Sequence, residues 1–212
     1  MQSFPTEYKE KVKANAKNVP PATYTQCHKL VNHLNFEFEE YVQNFNWEDI
    51  PHNAQVESGI NFYTNASFNE VINFDRDLYE DELSIKMHKY CTEELGLYVR
   101  EMQMIKQPKN SLTGNHVDHH ARIRRNNNLF DIMTEDVMFD YIKRYWVPLT
   151  DRAHGQYFEL NGVQIENWKA GEVYRLWPAY PHCGANLGED LRVFLIITGF
   201  DKPVEQIIEE LS

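Results

Sequence analysis

The dipeptide Asn161-Gly162 separates two strand-like runs, Gln156-Tyr157-Phe158-Glu159-Leu160 and Val163-Gln164-Ile165-Glu166-Asn167-Trp168. Asn-Gly tolerates positive φ at both central positions of a two-residue turn, and only that turn geometry matches the right-handed twist of paired strands. The segment therefore predicts an antiparallel hairpin. The same rhythm continues on both sides of it. Leu97 to Ile105 alternates with period two, Tyr141 to Leu149 reads as a strand, Lys169-Ala170-Gly171 turns the chain, and Glu172 to Trp177 and Leu191 to Thr198 supply two more strands. Short strands at this spacing, joined by turns, predict a mainly β fold with flanking helices: a double-stranded β-helix, or jelly roll.

The first half reads differently. Residues 1–25 are polar and interrupted by Pro5, Pro20 and Pro21, so an arm or cover is expected there. From Thr25 to Phe45, the residues Leu30, Leu34, Phe38, Tyr41, Val42 and Phe45 recur at helical spacing and predict an amphipathic helix carrying His28 and His33. Residues 46–69 look irregular, with short strands around Ile60 to Thr64. A second helix is predicted from about Leu78 to Leu95, stopped by Gly96. The expected organisation is one domain over residues 1–212. Residues 1–96 would be mainly helical cover packed outside the barrel, 97–200 its β core, and 201–212 a C-terminal helix. A chain of 212 residues, 42% of them hydrophobic, is long enough to bury a sizeable core.

Charge and cysteine content narrow the function classes. A formal charge of −11 argues against undirected attraction to nucleic acid or anionic membrane. No apolar run reaches spanning length and the N-terminus lacks a basic start followed by an apolar stretch, so a soluble cytoplasmic protein is expected. The three cysteines, Cys27, Cys91 and Cys183, are odd in number and widely spaced, which fits reduced thiols rather than a disulfide framework or a zinc knuckle. Locally, Arg122, Arg124 and Arg125 make a basic cluster, read either as a solvated loop or as a clamp for an anionic part of a substrate.

Two features carry chemistry. In Asn115-His116-Val117-Asp118, positions 116 and 118 are spaced i, i+2, so on a strand both side chains leave the same face. Chance alone yields such a tripeptide in about half of chains with this composition, so the spacing is weak by itself. The second feature is His182 followed by Arg192 at the head of the apolar run Val193-Phe194-Leu195-Ile196-Ile197. An inward-facing guanidinium on such a strand is costly unless an anion meets it. Two imidazoles and one carboxylate on one side of an ion, with the other positions open, form the facial triad that suits non-haem Fe(II).

In order along the chain, His116-x-Asp118, Arg144, the hairpin, Lys169-Ala170-Gly171-Glu172-Val173 and His182-x3-Asn186-x5-Arg192 resemble the Fe(II)/2-oxoglutarate oxygenases. The likeness is strongest to the aspartyl/asparaginyl β-hydroxylase-like branch that includes free-proline hydroxylases, and it covers roughly residues 97–200. The resemblance implies that His116, Asp118 and His182 hold Fe(II) and that Arg192 binds the far carboxylate of 2-oxoglutarate. Arg144 and Asn186 would support the cosubstrate site. It also implies reaction with dioxygen to hydroxylate an unactivated C–H bond of a small-molecule or peptide substrate, an amino acid above all. The carboxylate at Asp118 points to hydroxylation rather than halogenation. Tyr145, Phe158, Trp177 and Phe194 are expected to line a dry barrel. Trp146 departs from the branch, which often has histidine there. Two other classes stay open: a cupin-type metal enzyme, although its HxH pattern is absent, and an inactive cupin-like barrel that binds without turnover.

Overall fold

The structure, a computed structural model, describes residues 28–47, 70–74, 80–118 and 120–212. The expected N-terminal arm, the strands around Ile60 to Thr64, Cys27 and His119 lie outside the described residues. In chain order the first elements are β1 (His28–His33), α1 (Glu39–Asn44), β2 (Glu70–Asn73), α2 (Glu82–Glu93), β3 (Val99–Gln107) and β4 (Ser111–His116). They are followed by α3 (Ala121–Asn126), α4 (Glu135–Tyr141), β5 (Ile142–Pro148), β6 (Gln156–Leu160) and β7 (Val163–Gln164). The last are β8 (Glu172–Leu176), β9 (His182–Asn186), β10 (Arg192–Phe200) and α5 (Val204–Leu211).

The strands form two antiparallel sheets: six in the order β1-β8-β5-β10-β3-β2, and four in the order β4-β9-β6-β7. This is the jelly-roll, cupin-like architecture expected from the strand rhythm. Asn161 and Gly162 both adopt positive φ, at 51° and 78°, as the two-residue turn between β6 and β7 requires.

Period-two alternation on the larger sheet separates two cores. On β10, Val193, Leu195 and Ile197 point outward and pack with Tyr145 and Val147 of β5, Met102 and Met104 of β3, and the buried face of α2. Phe194 and Ile196 point the other way, into a cluster shared with Phe158 and Leu160 of the smaller sheet and with Trp146, Trp168 and Tyr174. Tyr145 therefore faces away from the barrel interior, and Trp177 is 38% exposed beyond the end of β8. Of the four aromatic residues expected to line the barrel, Phe158 and Phe194 do so; Trp146, Trp168 and Tyr174 complete the wall. Once Arg144 is inward on β5, strand alternation forces Trp146 inward and Tyr145 out.

Helix α2 forms where the sequence places it. The Asp81 carboxylate caps it by accepting from the backbone N–H of Leu83 at 2.9 Å and of Ser84 at 3.3 Å. Leu83, Met87, Tyr90 and Cys91 make its buried stripe. Met87 is fully buried, so Met87→Ala is expected to cost about 2–5 kcal/mol, read as a lower urea midpoint at unchanged slope.

The predicted helix over Thr25 to Phe45 is a correction. Residues 28–33 form the edge strand β1, paired antiparallel with β8, and only Glu39–Asn44 is helical. Leu30 and Val31 lie on the exposed strand, whereas Phe38 and Val42 enter the outer core. The spacing of 30, 34, 38 and 42 mimics a helix, but the unpaired edge of β8 offers β1 backbone hydrogen bonds, and tertiary pairing outweighs a weak helical preference. Two strands, β1 and β2, thus join the sheet from a region expected to be helical cover.

The segment between β4 and β5, polar in sequence with a helical turn expected near Met133 to Phe139, forms α4 there and contributes to the core. Ile123, Leu129, Met133 and Met138 bury themselves against Ile142, Phe200 and Ile207, making a third cluster under α5. No helix among the described residues is long and apolar enough to cross a membrane.

Candidate metal centre

Strand pairing builds the site. In the β4–β9 register His116 lies opposite His182, with ring centroids 4.3 Å apart. Asp118 follows two residues after His116 and reaches both rings: Oδ1 is 3.3 Å from His116 Nε2 and Oδ2 is 3.5 Å from His182 Nε2. One ligand atom from each of the three residues lies within 4.8 Å of the others, and no other such cluster occurs among the described residues.

Each ring is oriented by a backbone carbonyl. His116 Nδ1 donates to the Gly114 oxygen at 2.7 Å, and His182 Nδ1 to the Tyr180 oxygen at 3.3 Å. A carbonyl can only accept, so each ring carries a proton on Nδ1; in His182 that leaves the Nε2 lone pair inward, and in His116 Nε2 faces Asp118 Oδ1, where a metal ion would replace the shared proton. Burial pushes the His182 pKa down to about 4, keeping the ring neutral. Burial acts the same way on His116, but the hydrogen bond and charge of Asp118 outweigh it and leave its pKa raised. Burial alone would raise the Asp118 pKa; the charges of Arg144 and His182 reverse that and hold the carboxyl well below the usual range.

Arg144 projects from β5 onto this carboxylate, its Nη1 pairing with Asp118 Oδ2. It is buried, and its Nε has no partner. Arg144 thus sits at the ligand end of the cavity, beside Asp118 rather than beside Arg192. His120, held in the left-handed region at φ 47°, reaches the same place: its charge interactions are with Arg144, Asp118 and His182, and its Nε2 is buried without a partner.

Arg192 occupies another part of the cavity. Its guanidinium is 1% exposed and ringed by Phe194, Trp168, Phe158 and Trp146, with centroids 4.8, 5.1, 5.6 and 5.7 Å away. Its Nη1 donates to Gln107 Oε1 at 2.5 Å and to the Tyr157 carbonyl at 3.0 Å, whereas Nε and Nη2 have no partner. No described carboxylate pairs with it, and burial pulls its pKa down to about 9. The guanidinium thus keeps one edge, with two N–H donors, open. The indole N–H groups of Trp146 and Trp168 are likewise buried without partners.

Phe158 connects the two ends. Its ring is 6.4 Å from His182 and 5.6 Å from the Arg192 guanidinium. Along β9, Gly184 follows His182 on the same face, and a Cβ built there would meet Arg192 Nη1 at 2.9 Å. Glycine at 184 makes room for the guanidinium.

Asn186 has a structural assignment. Its Nδ2 donates to the Gln107 carbonyl at 2.9 Å and to the Asp190 carbonyl at 2.8 Å, and its Oδ1 accepts from the Gly188 backbone N–H at 3.3 Å. The side chain is consumed in tying β9 to β3 and closing the following turn. The basic cluster of Arg122, Arg124 and Arg125 is engaged too. Arg122 pairs with Glu101 at 3.1 Å, Arg124 donates to the Met133 carbonyl at 2.9 Å, and Arg125 lies over Phe130. Cys183 faces away from His182 by strand alternation, and His154 is exposed in its turn. The sequence reading overlooked Gln107 and Gly184. Alternation along β3 marks Gln107 as sharing the inner face with Gln103 and Ile105, but only the β10 pairing discloses what it meets.

The fold and its side chains define a cupin-like double-stranded β-helix that carries a two-histidine, one-carboxylate cluster. One solved structure shares the architecture over most of its length, and others overlap it in part. The non-heme alpha ketoglutarate dependent epimerase SnoN from nogalamycin biosynthesis superposes with a TM-score of 0.52 at 12% identity, over 92% of this chain and 85% of that one. The non-heme monooxygenase ThoJ, as its nickel complex, overlaps over 59% of this chain and 53% of its own, with 17% identity and a TM-score of 0.39. A Cupin 2 conserved barrel domain protein from Salinispora arenicola CNS-205 matches 52% of this chain and 71% of its own, with 14% identity and a TM-score of 0.32. No protein-family model matches the sequence, and no curated protein matches it either.

Proposed function

We propose that the protein is an Fe(II)- and 2-oxoglutarate-dependent dioxygenase that hydroxylates an unactivated C–H bond of an amino acid, free or within a peptide. The observation that carries this reading is the coexistence, on either side of Phe158, of a three-ligand cluster and a buried guanidinium with no described carboxylate partner. Neither is explained by stability. A buried cation without a partner costs several kcal/mol, and it is tolerated where a ligand supplies the missing charge.

The donor set fits Fe(II): two imidazoles, each with Nδ1 held by a carbonyl, and one ionised carboxylate, clustered so that the remaining coordination positions are left to ligands. His116, Asp118 and His182 would hold the ion, and Arg144 would keep Asp118 ionised and in place. Bound Fe(II) and 2-oxoglutarate would supply the dioxygen chemistry, decarboxylating the oxo acid to succinate and carbon dioxide with one oxygen atom passing to the substrate. Arg192 would receive the distal carboxylate on Nε and Nη2, a bidentate pairing that a lysine could not reproduce. The step from His182 to Gly184 along β9, about 6.6 Å, suits a five-carbon dicarboxylate reaching from the metal to that guanidinium. Trp146, Phe158 and Phe194 would exclude water around it. At the metal end, the unpartnered Arg144 Nε is able to meet a carboxylate of an amino-acid substrate, and His120 Nε2, whose ring burial keeps neutral, is able to accept from its amino group.

The test has two parts. Fe(II) with 2-oxoglutarate under nitrogen is expected to raise the melting temperature more than the sum of the two added singly. In air, a panel of free amino acids, peptides and nucleotides is expected to yield one substrate whose mass increases by one oxygen, with equimolar succinate. Joint stabilisation without succinate from any substrate would favour a barrel that binds without turnover. No stabilisation by either would remove the oxygenase reading.

A further inference from the structure

We infer that Gln107 is the positioning residue of the anion site: it fixes the Arg192 guanidinium and, being neutral, leaves its charge for the incoming ligand. This deepens the reading above and rests on it. In the β3–β10 register Gln107 lies directly opposite Arg192, and it is 1% exposed. Its Oε1 accepts from Arg192 Nη1 at 2.5 Å and its Nε2 donates to the Gly184 carbonyl at 3.4 Å. The two partners, one a donor and one an acceptor, settle which end of the amide is oxygen. The main chain of Gln107 is held as well, because its carbonyl accepts from Asn186 Nδ2 at 2.9 Å.

With the Tyr157 carbonyl as second acceptor, Nη1 is occupied, and Nε with Nη2 become the only open edge. The guanidinium cannot turn without losing both contacts, so its open edge is aimed before a ligand arrives. The choice of amide matters as much as its reach. A glutamate of the same length would satisfy Nη1 equally well, but it would neutralise Arg192 inside the protein and compete with the ligand. Glutamine provides the hydrogen bond and withholds the charge. Affinity for a dianionic oxo acid over one ending in a neutral amide then follows from residue 107 as much as from Arg192.

The experiment compares wild type, Gln107→Glu and Gln107→Met, using 2-oxoglutarate and its distal amide, 2-oxoglutaramate, as probes. Melting temperature is measured without ligand, and affinity by calorimetry with Fe(II) under nitrogen. Gln107→Glu is expected to melt several degrees higher than wild type when ligand-free, yet to bind 2-oxoglutarate at least thirtyfold more weakly and to lose most of its preference for the acid over the amide. Gln107→Met is expected to weaken 2-oxoglutarate about tenfold while keeping the preference. A merely structural glutamine would not give opposite signs for stability and affinity in one variant. Equal affinity and preference in wild type and Gln107→Glu would overturn the inference while leaving the functional reading intact. Failure of wild type to bind 2-oxoglutarate would overturn both.

Discussion

Replacing Arg192 with methionine is expected to make the ligand-free protein more stable while abolishing its response to 2-oxoglutarate. The guanidinium is buried among four aromatic rings with Nε and Nη2 unpartnered and no described carboxylate nearby. Its desolvation is therefore offset only by neutral acceptors and ring faces. Substituting an apolar side chain of similar length removes that cost, and comparable replacements of buried charge by well-packed apolar groups gain about 1–4 kcal/mol. The same substitution deletes the partner of the distal carboxylate. Loss of a buried charge pair of this kind costs roughly 2–5 kcal/mol, or about thirtyfold to several thousandfold in affinity. The measurement is a pair of melting curves, with and without 2-oxoglutarate, for wild type and Arg192→Met. A fall in ligand-free stability together with an undiminished ligand shift would mean that Arg192 belongs to the scaffold and not to the site.

Asp118→Ala is expected to fail in the opposite manner, losing stability and metal together. Its carboxylate faces three groups at once: His116 at 3.3 Å, His182 at 3.5 Å and the buried guanidinium of Arg144. Removing it strands Arg144 in the interior, where an uncompensated charge costs about 3–5 kcal/mol. Because Asp118 keeps 23% of its side-chain exposure, the lower end of that range is expected. Metal affinity should fall about a hundredfold or more, since two neutral imidazoles remain, and competition with a chromophoric chelator measures it. The double variant Asp118→Ala with Arg144→Met separates the two losses: stability should largely return, and metal affinity should not. If the double variant is as unstable as the single one, the pairing with Arg144 is not what holds this region together.

What could be read from the chain, and what could not, divides by the range of the interaction. The Asn161-Gly162 turn, the capped helix after Asp81 and the period-two strands are set by neighbouring residues, and each forms where local chemistry places it. Spacing marked His116 and Asp118 as a pair, although β4 ends at His116 and Asp118 reaches the two rings from just beyond it, and the inward turn expected of Arg192 is what its 1% exposure shows. The misreadings all involve partners distant in sequence. Residues 28–33 become a strand because β8 lies beside them, and Tyr145 turns outward because Arg144 turns inward to meet Asp118. Gln107 was invisible for the same reason: nothing in its neighbourhood announces that the facing strand begins with an arginine.

The opposition of His116 and His182 across β4 and β9 bears on the order of assembly. The two imidazoles come from distant parts of the sequence, and the loop between them includes the third cluster, the hairpin and β8. Closing so long a loop is an entropic expense that the ion alone repays late, so the barrel must shut before all three ligands can converge. Loading would then be an event of the finished fold: a chain still emerging, and ending before β9, has His116 and Asp118 of the cluster but not His182, and could grip no ion tightly. Iron would be a passenger admitted after construction, not a nucleus around which the polypeptide condenses.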